Sequence, residues 1–378
     1  MTKTLTALAT LAALGLGGAA SAEIRIGATL SETGPAAFLG DPEAKTLKML
    51  VDKVNAAGGV NGEEIALTLY DDGGDPNKAR TFATRLVEDD EVAAIIGGTT
   101  TGTTMSIIQV VEDAEIPFIS LAGAIEIIDP VKDWVFKTPH TDRMACQKIF
   151  EDMKARGITK IGMISGTDGF GASMRKQCLE VVSDYGIAVA ADESYGPTDA
   201  DMTPQLTNIK NAGVQAVLNP GFGQGPSIVT RNFRQLAIDL PLYQSHGVAS
   251  KGFIDLAGPE AAEGVRLPGT ALLVGELLPE NDPQKAVVEA YKTEFETAYN
   301  VPVSTFGGYA ADAFAILIDA IKRAGSTEPE AIRDAIEATA GLAGTTGVVT
   351  MTADDHLGLD LSAFKMLEIK GGAWTLVE

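Results

Sequence analysis

A chain of 378 residues with 51 acidic against 29 basic side chains, formal net charge −22, lacks the basic surface that neutralises nucleic-acid phosphates. Three histidines and two widely spaced cysteines leave few general bases and a poor metal-ligand set. The length suits two domains once an N-terminal leader is set aside.

That leader is residues 1–22, with Lys3, an apolar run from Leu5 to Leu16, and small residues at Ala20 and Ala22. This is the layout of a cleaved secretory signal peptide. The run is shorter than the ~20 residues of a membrane span. No cysteine follows Ala22, which argues against a lipid anchor. The mature chain is expected to begin near Glu23 and to leave the cytoplasm.

From Glu23 onward strand and helix signals alternate. "EIRIGATL" reads as a strand, followed by a loop with Gly34, Pro35 and Gly40. Leu47, Leu50, Val51 and Val54 mark an amphipathic helix that Gly58 and Gly59 stop. Strand "EIALTLYD" leads to Asp75–Pro76, a helix cap, and an apolar face at Phe82, Ala83, Leu86 and Val87. Strand "VAAIIG", a helix through Ile107 to Ala114, strand "IPFIS" and "WVFKT" follow. Helices are then expected at 142–155, 171–185, 204–212, 227–237 and 252–257, interleaved with strands "KIGMIS", "IAVAAD", "AVLNP" and "LPLYQSH". Helices at 284–299, 305–323 and 329–339, then "TGVVTM" and a hairpin from "AFKMLEIK" to "AWTLV", complete the chain. Alternation of this kind predicts an α/β fold with two doubly wound parallel-sheet lobes.

Cys146 shares a helical face with Ile149, Phe150 and Met153, and Cys178 with Met174 and Val182. They are either buried thiols or a disulfide between adjacent helices, which an oxidising compartment allows.

Ligands of open parallel sheets bind outside the carboxyl ends of the strands. The segments there are "SETGPAAFLGD", "GGTTTGTTMS", "SLAGAIEI", "SGTDGFGAS", "NPGFGQGPS" and "SHGVAS", rich in glycine and hydroxyls with single phenylalanines. Small residues let backbone amides approach a ligand, and helix N-termini favour a carboxylate. Catalytic motifs are missing. "GFGQGP" has Pro226 at the last glycine of a dinucleotide fingerprint, and no phosphate-loop, nucleophile-elbow or zincin motif occurs. "DDGGDP" is half a calcium loop, with Phe82 where its glutamate belongs.

"IGATLSETGPAAFLGD", "VNAAGGVNGEEIALTLYDDGGDP", "AAIIGGTTTGTTMS" and "IPFISLAGA", in that order, resemble the leucine/isoleucine/valine-binding family. These are periplasmic solute-binding proteins of branched-chain amino-acid ABC importers. The resemblance runs from about Glu23 to the C-terminal hairpin and implies the type I periplasmic-binding fold. Three hinge crossovers are expected near Thr138, Leu267 and Thr346. Lobe 1 then takes residues 23–138 and 268–345, and lobe 2 residues 139–267 and 346–378. The resemblance implies a periplasmic protein, monomeric and non-enzymatic, with no cofactor, a small carboxylate ligand and a membrane permease as partner.

In the family, the loop matching Thr99–Thr103, here with Thr100, Thr101 and Gly102 as candidate contacts, and the one matching Ala122, Gly123 and Ala124 hold the ligand carboxylate. Leu39, with Phe38 beside it, falls near an aromatic residue of the first loop. Phe170 and Phe222 match positions commonly occupied by tyrosine. His246 falls where amino-acid binders place the acid that pairs with the ligand ammonium. A neutral histidine supplies no full negative charge and a protonated one repels an ammonium. Asp168 and Asp142 are the nearest replacements by sequence. Three ligand classes stay open: an aromatic or other ammonium-free carboxylate, a branched-chain or related amino acid, and amides or other small solutes. A ligand-sensing receptor module and an exported α/β enzyme using His246 with Asp168 are the alternative functions.

Overall fold

The computed structural model describes residues 23–377, so the expected signal peptide lies outside the described residues. The first sheet is all parallel, in the order β2-β1-β3-β4-β5. Its strands are β1 (Ile24–Leu30), β2 (Ile65–Asp71), β3 (Ala94–Gly97), β4 (Phe118–Ser120) and β5 (Val135–Lys137). Helices α1 (Ala37–Ala56), α2 (Pro76–Glu88) and α3 (Thr101–Ala114) connect the first four. The inner strands read as continuous apolar runs because both faces of a parallel sheet are covered. At the head of α2 the Asp75 side chain accepts the Asn77 amide at 2.8 Å.

α1 begins at Ala37, earlier than the apolar periodicity predicts, and takes in Phe38, Leu39, Gly40 and Pro42. Gly40 and Pro42 read as turn residues, but tertiary packing decides. A Cβ at Gly40 would lie 2.2 Å from the Ser31 carbonyl oxygen, so only glycine lets the helix press against the end of β1.

The second unit contains α4 (Asp142–Ala155), β6 (Lys160–Gly166), α5 (Gly169–Val181), β7 (Ala188–Tyr195), α6 (Thr203–Asn211) and β8 (Ala216–Asn219). It continues through α7 (Gly225–Gln235), β9 (Leu242–Gln244), α8 (Lys251–Ala257), α9 (Pro259–Ala262) and β10 (Arg266–Gly269). The chain then returns to the first sheet with α10 (Lys285–Tyr299), α11 (Thr305–Ala324), α12 (Pro329–Glu337) and the hairpin β11 (Leu342–Ala343) and β12 (Val348–Val349). Finally β13 (Lys365–Lys370) and β14 (Ala373–Leu376) add antiparallel strands to the second sheet, giving the order β14-β13-β10-β9-β8-β6-β7.

The chain thus passes between the units after β5, after β10 and before β13. At Thr346, near the expected third crossover, the chain still contacts the first unit. Asp312 of α11 accepts the Thr346 amide at 2.8 Å and its hydroxyl at 2.5 Å, which ties this residue to the first unit. Val349 and Met351 still pack in the first sheet's core, and Phe364 is the first apolar side chain in the second core. In the second unit Cys146 of α4 and Cys178 of α5 form a disulfide with Cα atoms 5.1 Å apart, which decides between the two readings of these cysteines.

Candidate functional site

The carboxyl ends of the parallel strands of both sheets face a shared cavity. From the first sheet, α1 supplies Leu39, the loop after β3 supplies Thr99, Thr100 and Thr101, and the loop after β4 supplies Ala122 and Gly123. The second sheet contributes Phe170 after β6, Phe222 after β8 and His246 after β9. Phe306 and Tyr309 enter from α11.

The threonine-rich loop has a division of labour. Thr99 Oγ1 accepts the Ser31 amide at 3.0 Å and donates to the buried Glu43 carboxyl at 2.6 Å. Thr100 caps α3, taking the Thr103 amide at 3.2 Å, and Thr103 returns the bond to the Thr100 amide. Thr104 donates to the Gly98 carbonyl at 2.6 Å and meets Ser120 Oγ at 2.9 Å. Only the Thr101 hydroxyl of this set is buried without a hydrogen-bond partner among the described residues. It lines the cavity at the first position of α3, where the amides of Thr101 and Gly102 have no intrahelical acceptor. A hydroxyl, free amides and a helix N-terminus together suit a carboxylate.

The second strand-end loop is more constrained. Ser120 Oγ takes the Ala122 amide at 3.2 Å, while Asp142 pins the Gly123 carbonyl through its own amide at 2.9 Å and the Ile125 amide through Oδ1 at 3.0 Å. Beneath it Lys137, wholly buried, donates to the Ala124 carbonyl at 3.3 Å. Burial brings the pKa of this lysine down to about 7, with Asp142 offsetting part of the shift.

Across the cavity, Phe170 lies edge-on to Phe222, with centroids 6.2 Å apart, and to His246, 5.3 Å apart. Burial, and then the Lys137 charge, lower the His246 pKa to about 3, so the ring is neutral at physiological pH and a weak base. Its Nδ1 has no hydrogen-bond partner among the described residues. The wall contributed by the described residues contains no carboxylate. Asp168 uses one oxygen to cap α5, accepting the Phe170 and Gly171 amides at 3.0 Å, and Asp142 is committed to the loop it pins. Asp168 borders an adjoining space with Thr101, Phe170 and Phe222.

Of the residues singled out in the sequence, Leu39, Thr100, Thr101, Ala122, Gly123, Phe170, Phe222 and His246 converge on the cavity. The others stand outside it. Gly102 borders the adjoining space, Ala124 packs in the first unit's core, and Phe38 sits at the mouth between Phe222 and Phe306. Phe306 and Tyr309 escape sequence reading because α11 is buried along most of its length, so cavity-facing rings resemble core ones.

Two doubly wound sheets facing one cavity, with the chain crossing between them, are the architecture of a two-lobed ligand binder. The chain belongs to the periplasmic binding protein family, whose model matches residues 23–372. It is 28% identical over 314 residues to the leucine-, isoleucine-, valine-, threonine- and alanine-binding protein of Pseudomonas aeruginosa, covering 81% of this chain and 80% of that one. An extracellular ligand-binding receptor from Rhodopseudomonas palustris HaA2 superimposes with TM-score 0.88 and 29% identity, covering 94% of this chain and all of the other, 100%. A Streptococcus pneumoniae branched-chain amino acid transporter substrate-binding protein, solved with isoleucine, shares the fold at TM-score 0.83 and 24% identity, over 94% of this chain and 99% of its own.

Proposed function

We propose that this protein is a monomeric periplasmic receptor of a branched-chain amino-acid-type ABC importer, binding a small aromatic carboxylate that carries no ammonium. The observation that carries the reading is the chemistry of the cavity wall. It offers Thr101 and a helix N-terminus to an anion and rings to an apolar body, with no acid, among the described residues, to pair an ammonium. The ligand docks on the first lobe at Thr101 and Gly123, and closure brings Phe170, Phe222 and His246 over it. Tighter binding to the closed form drives that change, and the closed form meets the permease.

A hydrophobic amino acid is the second reading. Asp168 is the carboxylate, among the described residues lining the adjoining space, that an ammonium would meet. A thermal-shift panel on mature protein, unfolded and refolded to strip carried-over ligand, separates the two. A true ligand at ~100 times its Kd stabilises by ~2.7 kcal/mol. Benzoate, hydroxybenzoates or hydroxycinnamates are expected to stabilise; a response to leucine, isoleucine and valine alone would reject the aromatic reading. Thr101→Ala should weaken carboxylate binding by ~1–3 kcal/mol while leaving the ligand-free melting temperature in place.

A further inference from the structure

Tyr309 is a buried hydroxyl that the first lobe's architecture leaves without work. It is 3% exposed and lines the cavity, and its Oη has no hydrogen-bond partner among the described residues. Native proteins rarely leave such a group unsatisfied. The ring packs edge-on to Phe306, with centroids 6.2 Å apart, and the Tyr309 backbone carbonyl accepts the hydroxyl of Thr138, the first residue after β5, at 2.9 Å. That bond fixes this turn of α11 against the chain crossing.

We infer that Tyr309 is a specificity-determining ligand contact, whose hydroxyl receives a neutral hydrogen-bonding substituent, such as a ring hydroxyl, on the aromatic carboxylate. The inference rests on the carboxylate reading above and adds a second polar end to the ligand. Burial, then the Asp312 and Glu43 carboxyls, push the Tyr309 pKa up, so its proton stays in place as a donor. Those two acids are themselves buried, which raises both pKa values, that of Glu43 well above its ordinary value, and Glu43 Oε1 has no partner among the described residues. A second anionic group on the ligand would lose its hydration in the same buried surroundings. A hydroxyl meets a donor and an acceptor.

The test measures Kd by calorimetry for benzoate, meta-hydroxybenzoate and para-hydroxybenzoate, with refolded wild-type protein and with Tyr309→Phe. At least one hydroxybenzoate is expected to bind wild type about tenfold tighter than benzoate. Tyr309→Phe is expected to erase that advantage while leaving benzoate affinity unchanged. Thr101→Ala, by contrast, weakens every probe alike. A wild-type protein that does not distinguish benzoate from its hydroxylated forms overturns the inference whether or not the variant folds, and so does an advantage that survives Tyr309→Phe. If leucine binds and no arenecarboxylate does, the parent reading fails and takes this one with it. That result differs from the other two because benzoate itself is silent.

Discussion

A methyl group at position 123 would sit 2.9 Å from both His246 Nε2 and Phe170 Cε2. Both atoms belong to the second unit, so under the proposed closure the clash would fall on the closed form alone. Gly123→Ala is expected to weaken ligand binding by ~1–3 kcal/mol, the usual cost of overpacking, without lowering the ligand-free melting temperature. Calorimetric titration beside a melting curve checks this; equal damage to both would make Gly123 a folding residue. His246 gives a pH prediction. Its native pKa is about 3, against an ordinary value near 6.5, so the unfolded chain binds more protons between those limits. Its contribution to stability is intact above pH ~6.5 and is lost as pH falls towards ~3. His246→Gln should therefore flatten part of the acid-side decline in melting temperature, and parallel curves for the two proteins would refute the assignment. At this scale the sequence was a good guide to loops and a poor one to orientation. "GGTTTGTTMS" marks a loop at a strand end, but which threonine faces the cavity depends on Ser31, Glu43 and Ser120, each remote in sequence.

Among the elements, α4 and α5 carry the one covalent crosslink of the described residues, between cysteines 32 positions apart. Reduction is expected to cost ~2–4 kcal/mol of stability, read as a lower urea midpoint with reductant present. No change in the midpoint would mean that packing of α4 on α5 already supplies the constraint. The alternation of strands and helices was legible because each parallel strand needs a crossover helix, and each helix needs one apolar stripe. Three features were not legible. α1 starts beyond its own turn signals because Gly40 lets it dock on Ser31. The hairpin of β11 and β12 is two residues a side, too short for a periodic pattern. Thr346 is held to the first unit by Asp312, 34 residues earlier.

The molecule as a whole is strongly acidic, with a net charge of −22. An anionic ligand approaches against that field, whereas a zwitterionic amino acid feels little of it. Added salt screens the repulsion, so stopped-flow association of an arenecarboxylate should speed up with ionic strength. A rate that falls with salt would point to local positive charge at the mouth governing encounter.

Phe38 touches Phe306 on its own lobe at 5.8 Å between centroids and Phe222 of the other at 6.3 Å. Its ring, 37% exposed, bridges the two units. Parting Phe38 from Phe222 forfeits an aromatic pair worth about 0.5–1.5 kcal/mol beyond area burial. That cost falls on the way out, after the lobes have met, and not on first encounter. On the proposed reading, removing the ring is expected to shorten the residence time of the ligand more than it slows capture, a delay that would matter to a receptor carrying its ligand to a transporter.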